Sequence, residues 1–171
     1  MQMVKKVMLI LLFVWFSLLL FMPKTAFYYT LEAQLAKQEI RLNEEKIEEG
    51  LFSLHIKNVY LYAKGIEVAK IKELSLFTLL FYNSIEIKEI VADEALHSKV
   101  PAFLQKATLE YHLLNPSSLS VDANGSFGHI AGKIEIPSGM VHLDFVQNGE
   151  IDMLKPFLKK DEKGWFYEGS F

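Results

Sequence analysis

Beyond Glu39 the apolar residues of this chain recur mostly at every second position, and no other feature constrains its fold as strongly. Successive side chains of a strand point to opposite faces, so this period builds sheets with one apolar face. Glu39-Ile40-Arg41-Leu42-Asn43 alternates first. Glu44, Glu45, Glu48, Glu49 and Gly50 then read as a solvated loop. A long strand is expected over 51–63. Phe52, Leu54 and Ile56 share one face there, yet Val59 and Leu61 take the odd positions. The phase changes at Asn58, the mark of a bulge or a sharp bend. Gly65 opens a further strand through Ile66 and Val68, and 84–91 forms another with Ile85 and Ile87 on one face. The run 74–82 is nearly all apolar without a clean period, and fits a short buried helix or a strand with a turn.

The second half permits a register. Asn124-Gly125 is a two-residue hairpin signal. It pairs Ala123 with Ser126, Val121 with Gly128 and Leu119 with Ile130, so inward residues meet inward residues. A four-residue loop Pro137-Ser138-Gly139-Met140 then pairs Ile134 with Leu143 and Gly132 with Phe145 on the inner face. Outside, Glu135 meets His142 and Lys133 meets Asp144. One parity satisfies both hairpins, giving an antiparallel meander over 117–146. A short helix is expected near 152–160, with Pro156 tolerated only in its first turn. A last strand over 164–171 ends the chain.

The N-terminus is of another kind. Sixteen residues, Val7 to Met22, hold Ser17 as their one non-apolar member and follow Lys5-Lys6. As a helix this run is ~24 Å long at ~1.5 Å per residue. A bilayer core is ~30 Å thick, so spanning it requires snorkelling lysines, local thinning or flanking residues. Pro23-Lys24-Thr25-Ala26-Phe27 lacks a signal-peptidase site, which favours an uncleaved signal anchor. Residues 1–24 contain no acid, whereas all 21 acidic residues follow. The positive-inside rule keeps Lys5 and Lys6 cytoplasmic and exports the acidic remainder. Residues 25–38 read as a helical stalk, with Leu31, Leu35 and Ala36 near helical spacing. The expected organisation is therefore 1–24 cytoplasmic tip and transmembrane signal anchor, 25–38 stalk and 39–171 periplasmic β-rich domain. The fold class is mainly β, a curved, mostly antiparallel sheet of roughly seven to nine strands with one or two short helices.

The residues that could carry chemistry are few. Without cysteine the chain has no disulfide, thiolate metal site or cysteine nucleophile. A net charge of -3 and a pI near 6.0 argue against nucleic acid as a partner. The glycine cluster 122–132 matches no dinucleotide, Walker or nucleophile-elbow pattern. His142 and Asp144 share a strand face at a possible metal spacing, but pair more simply across strands with Glu135 and Lys133. No catalytic residue, metal or cofactor is expected. What remains is apolar surface. One sheet and a small helix cover only part of an apolar face, so the sheet either closes on itself or leaves a groove. The groove candidates are Phe52, Leu54, Ile56, Ile85 and Ile87, facing a lipid chain or a partner segment.

An anchor and stalk followed by Gly50-Leu51-Phe52-Ser53-Leu54-His55-Ile56-Lys57-Asn58-Val59-Tyr60-Leu61, then Gly65-Ile66-Glu67-Val68-Ala69-Lys70-Ile71, the apolar run 74–82 and Ile85-Glu86-Ile87, form a recognisable order. Gly125-Ser126-Phe127-Gly128-His129-Ile130-Ala131-Gly132-Lys133-Ile134 follows near the end. This order resembles the type II secretion system protein N family and, more distantly, the N-terminal parts of AsmA- and TamB-like periplasmic proteins. The resemblance implies a single-pass bacterial inner-membrane protein with a periplasmic β-groove and no catalysis. It implies work in type II secretion, or in traffic of lipids or proteins towards the outer membrane. Its implied partners are the inner membrane with secretion-machinery proteins or phospholipid acyl chains.

Overall fold

The computed structural model describes residues 2–21, 24–79, 81–97 and 100–170. The end of the apolar run at Met22 and Pro23, Leu80 within 74–82, and the terminal Phe171 lie outside them. Two helices come first, α1 (Gln2–Phe21) and α2 (Lys24–Ala36). Ten strands follow: β1 (Ile40–Glu49), β2 (Ser53–Ala63), β3 (Ile66–Leu79), β4 (Tyr82–Ala92), β5 (Phe103–His112), β6 (Ser118–Gly125), β7 (Gly128–Glu135), β8 (Met140–Asn148), β9 (Lys159–Lys160) and β10 (Trp165–Ser170). They form one open antiparallel sheet in the order β1 to β8, then β10, then β9. Among the described residues no helix is long and apolar enough to cross a membrane.

The phase change at Asn58 belongs to a row. Ile56 and Val59, three apart, lie in one core. The same spacing separates Glu44 from Ile47, Ile71 from Leu74, Ile87 from Ile90 and Leu104 from Ala107, all in register. The break therefore crosses β1 to β5 along Glu45, Asn58, Lys72, Glu89 and Gln105. Asn58 and Glu89 adopt positive φ, 51° and 52°. Asparagine tolerates that region better than glutamate does.

Two covers make two cores. Tyr28 of α2 is 4% exposed and packs with Leu54, Ile56 and Val59. The α2 segment is thus no free stalk: it lies against β1 and β2. Glu49 fixes its start, accepting from the Lys24 backbone N at 3.1 Å and from Thr25 Oγ1 at 3.2 Å. A carboxylate there complements the free N–H groups and the dipole of the helix start. Tyr28 donates to Glu44 Oε2 at 3.0 Å. Burial, then the bond to Glu44, raises its phenol well above the ordinary value. The second core joins Ala123, Phe127, Phe145 and Ile151, with Leu154, Leu158 and Trp165 packed around them. Its cover is the irregular segment 149–158.

Several expectations need correction. The acidic stretch 44–49 is no loop but the second half of β1, because its carboxylates find partners in Tyr28, Lys24 and Lys57. Of the run 74–82, residues 74–79 end β3, Phe81 is a turn residue and Tyr82 opens β4. The expected helix near 152–160 is one 3-10 turn, Lys155–Phe157, with Pro156 in its first positions. The first hairpin turns at Ser126–Phe127, pairing Gly125 with Gly128 and Leu119 with Ile134. Phe127 is buried in the second core. The turn backbone is also bonded to Phe103, Gly149 and Glu150, which outweighs the local Asn-Gly preference. The next loop is 136–139. Gly139 takes the left-handed conformation, φ 65°, immediately before β8. Gly132 therefore pairs with Leu143 rather than Phe145, and Lys133 with His142. Both slips are even, so each inward residue stays inward.

The register makes a stability prediction. A Cβ on Gly132 would fall against the His142 carbonyl oxygen and 2.7 Å from Leu143 Cα. Gly132→Val is expected to cost about 3 kcal/mol or more by overpacking. Ala131 faces the solvated side, opposite Asp122 and Asp144. Ala131→Val should cost about 0.5 kcal/mol. Urea midpoints of the two variants measure this, and equal losses would overturn the register.

Candidate functional site

Cross-strand pairing lays the apolar face out in rows. One row runs Leu54, Leu76, Ile85, Leu109, Val121, Gly132, Leu143 and Tyr167. A neighbouring row runs Tyr111, Leu119, Ile134, Val141 and Gly169. On the other side lies the row of Ile56, Leu74, Ile87, Ala107, Ala123 and Ile130. The α2 helix covers the β1–β3 end of these rows, and 149–158 covers the part around Ala123, Ile130 and Phe145. Between them an apolar strip lies open. Ile85 is 36% exposed and Tyr167 37%. A hollow of about 330 Å³ sits there, walled by Leu76, Ile85, Leu109, Tyr111 and Leu119.

The candidates read from sequence divide across this surface. Leu54 and Ile56, 2% and 1% exposed, are sealed beneath α2. At these two positions the face is closed core, not groove. Ile85 lies in the strip, and Ile87 is half-buried in the next row. Phe52 stands apart in the turn before β2, its ring 6.2 Å from that of Phe16 in α1. The strip residues of β5 to β8 were not among the candidates drawn from 52–87. Ala107, Leu109 and Tyr111 alternate cleanly in β5, and that period is the signal that finds them.

The opposite face is polar and laced by ion pairs. Glu86 accepts from Lys106 at 2.6 Å and lies 3.0 Å from Lys88, which reaches Glu73 at 3.4 Å. His55 Nδ1 lies 2.9 Å from Ser75 Oγ, and His129 Nε2 lies 2.8 Å from Asp122. His142 approaches Asp144 and Glu168, not Glu135. Among the described residues no three His, Asp or Glu side chains converge as a metal site would require. The face is a solvated ladder of opposite charges, which supports register more than chemistry.

No protein-family model, curated protein or solved structure matches this chain.

Two measurements follow from the two faces. Leu54→Asp buries a carboxylate without a partner and should remove about 4 kcal/mol or more, abolishing the cooperative thermal transition. Ile85→Asp keeps water on one side and should leave the transition in place, at a cost of about 1 kcal/mol. A cooperative melt of Leu54→Asp would contradict a sealed core beneath α2.

On the polar face the hydrogen bond from Lys106, then that from Lys88, holds the Glu86 carboxyl below its ordinary value of 4.5. A depressed carboxyl contributes stability above its unfolded value and loses it as pH falls through the folded one. Melting temperature should therefore drop below about pH 4.5. Glu86→Gln should make that acid limb shallower, as read from melts across the acid range.

Proposed function

We propose that this chain is a non-enzymatic, membrane-anchored component of the bacterial cell envelope that holds acyl chains on the open strip of its sheet. The observation that carries this reading is the strip itself: contiguous apolar rows, walled by two covers and left without a third. Large exposed apolar patches on a folded domain mark contact with lipid or protein. The α1 helix supports the anchor. Every residue from Val7 to Trp15 is at least 43% exposed, which no core helix tolerates, and Lys5-Lys6 precede the run. No described helix is long and apolar enough to cross by itself, so in this reading α1 relies on snorkelling lysines, local thinning or flanking residues. The sheet would then stand in the periplasm.

The resemblance to type II secretion protein N supplies the second reading, a part that docks on secretion-machinery proteins. One feature favours it. The β1 strand is ten residues long and ends the sheet, so among the described residues its outer edge has no strand partner and could take an added strand. Its charges, among them Glu45, Lys46 and Glu48, also blunt such pairing. The strip is the larger feature, and lipid handling is preferred on that ground.

Native mass spectrometry of the full chain, extracted with bound lipid, separates the readings. The wild type should carry phospholipid. Leu109→Asp should lose it at least tenfold while keeping its cooperative melt. Lipid-free wild type, or a variant that retains lipid fully, would overturn the acyl-chain reading.

A further inference from the structure

One end of the sheet differs from the other in the charge of its turns. The turns at 50–52, Phe81, 113–117 and 136–139 all lie at the same end, and none of these residues is charged. Their apolar side chains stand in solvent: Leu51 is 70% exposed, Phe81 57%, Leu114 97% and Ile136 48%. The opposite end carries Glu39, Lys64, Asp93, Glu94 and Glu150 at its connections. Exposed leucine and phenylalanine at successive turn tips are unfavourable in water and gain by entering an apolar medium.

The N-terminal helix arrives at this same end. Trp15 lies 6.4 Å, ring to ring, from Phe81, and Phe16 lies 6.2 Å from Phe52. The exposed apolar shell of α1 is thus continuous with the apolar turns. We propose that these turns form a rim that seats the sheet end-on in the interfacial layer of the bilayer. The rim would act by apolar partition, since its turns hold no lysine or arginine with which to attract anionic headgroups. This inference rests on the reading of α1 as the membrane segment, but not on what the strip binds.

The chain has no cysteine, so single labels can be placed without background. Phe13→Cys in α1, Leu114→Cys in the rim and Lys64→Cys at the far end would each carry an NBD fluorophore. The full chain is reconstituted in vesicles of phosphatidylethanolamine and phosphatidylglycerol. Quenching by nitroxide-bearing lipids and by aqueous iodide is then compared. Labels at 13 and 114 should shift to the blue, be quenched by the nitroxide lipids and lose iodide quenching, whereas the label at 64 should show the reverse. Shielding at 13 with full iodide quenching at 114 would overturn the rim and leave the anchor standing. Iodide quenching at 13 would overturn the anchor and the rim together. Shielding at 64 as well as 114 would mean that the sheet lies flat, and would overturn the end-on seating. Phe81→Cys repeats the rim measurement at a second turn, and exposure there would count equally against the proposal.

Discussion

An antiparallel meander of ten strands presents one wide apolar face, and burying that face is the requirement on which the rest of this structure depends. Apolar area out of water contributes about 25 cal/mol per Å². Apart from the ten-residue connection 93–102, the turns within the meander are too short to carry a covering element across the sheet. The two covers come from chain that precedes β1 and chain that follows β8. Tyr28 of α2 seals Leu54, Ile56 and Val59, while Ile151, Leu154 and Leu158 close over Ala123 and Phe145. Neither reaches the strip between them. Its openness is thus a consequence of topology and not of weak side chains.

The phase break is what keeps each cover on the correct face. In β1 to β5, two consecutive residues turn away from the apolar side: 45–46, 57–58, 72–73, 88–89 and 105–106. A break in one strand alone would set its remaining residues on the wrong face relative to both neighbours. All five strands break in one row, so Leu42, Val59, Ile71, Ile90 and Leu104 continue the same face beyond it. The diverted residues are mostly charged and pair with one another, as Lys72 does with Glu89 at 2.6 Å and Lys88 with Glu73. Their individual worth on a solvated face is small. Their value lies in making the polar side tolerable at these ten positions, two on each of five strands.

Much of this was legible in the sequence. The period of two, the antiparallel meander and the inward set from Leu119 to Phe145 follow from alternation and parity, and an even slip in register leaves parity untouched. The break at Asn58 was visible in β2 because Ile56 and Val59 are both plainly apolar. The same break in β5, between Leu104 and Ala107, is hidden by Gln105 and Lys106, which look like a loop. The true turn at Ser126–Phe127 depends on bonds from Phe103, Gly149 and Glu150. Local turn chemistry carries no record of those partners. The fate of Leu54 and Ile56 was hidden for the same reason: whether a strand residue lines core or groove depends on where α2 lands, and α2 carries no strong apolar stripe to announce it.

The two open rows are not placed at random along the strands. Tyr111, Leu119, Ile134 and Val141 form the row nearest the uncharged turns, within a few residues of Leu113, Leu114, Ile136 and Gly139. At about 3.3 Å per residue, that row stands on the order of 7–10 Å from the rim. The polar layer on each side of a bilayer core is about 5–8 Å thick. With the rim seated in that layer, the uncovered rows begin where the headgroups end. With that seating, the row of Ile56, Ala123 and Ile130 would stand farther from the bilayer, where water is the alternative to protein. A lipid tail leaving the bilayer beside α1 would meet apolar side chains without first crossing charged ones, because the four turns between it and the strip contain none.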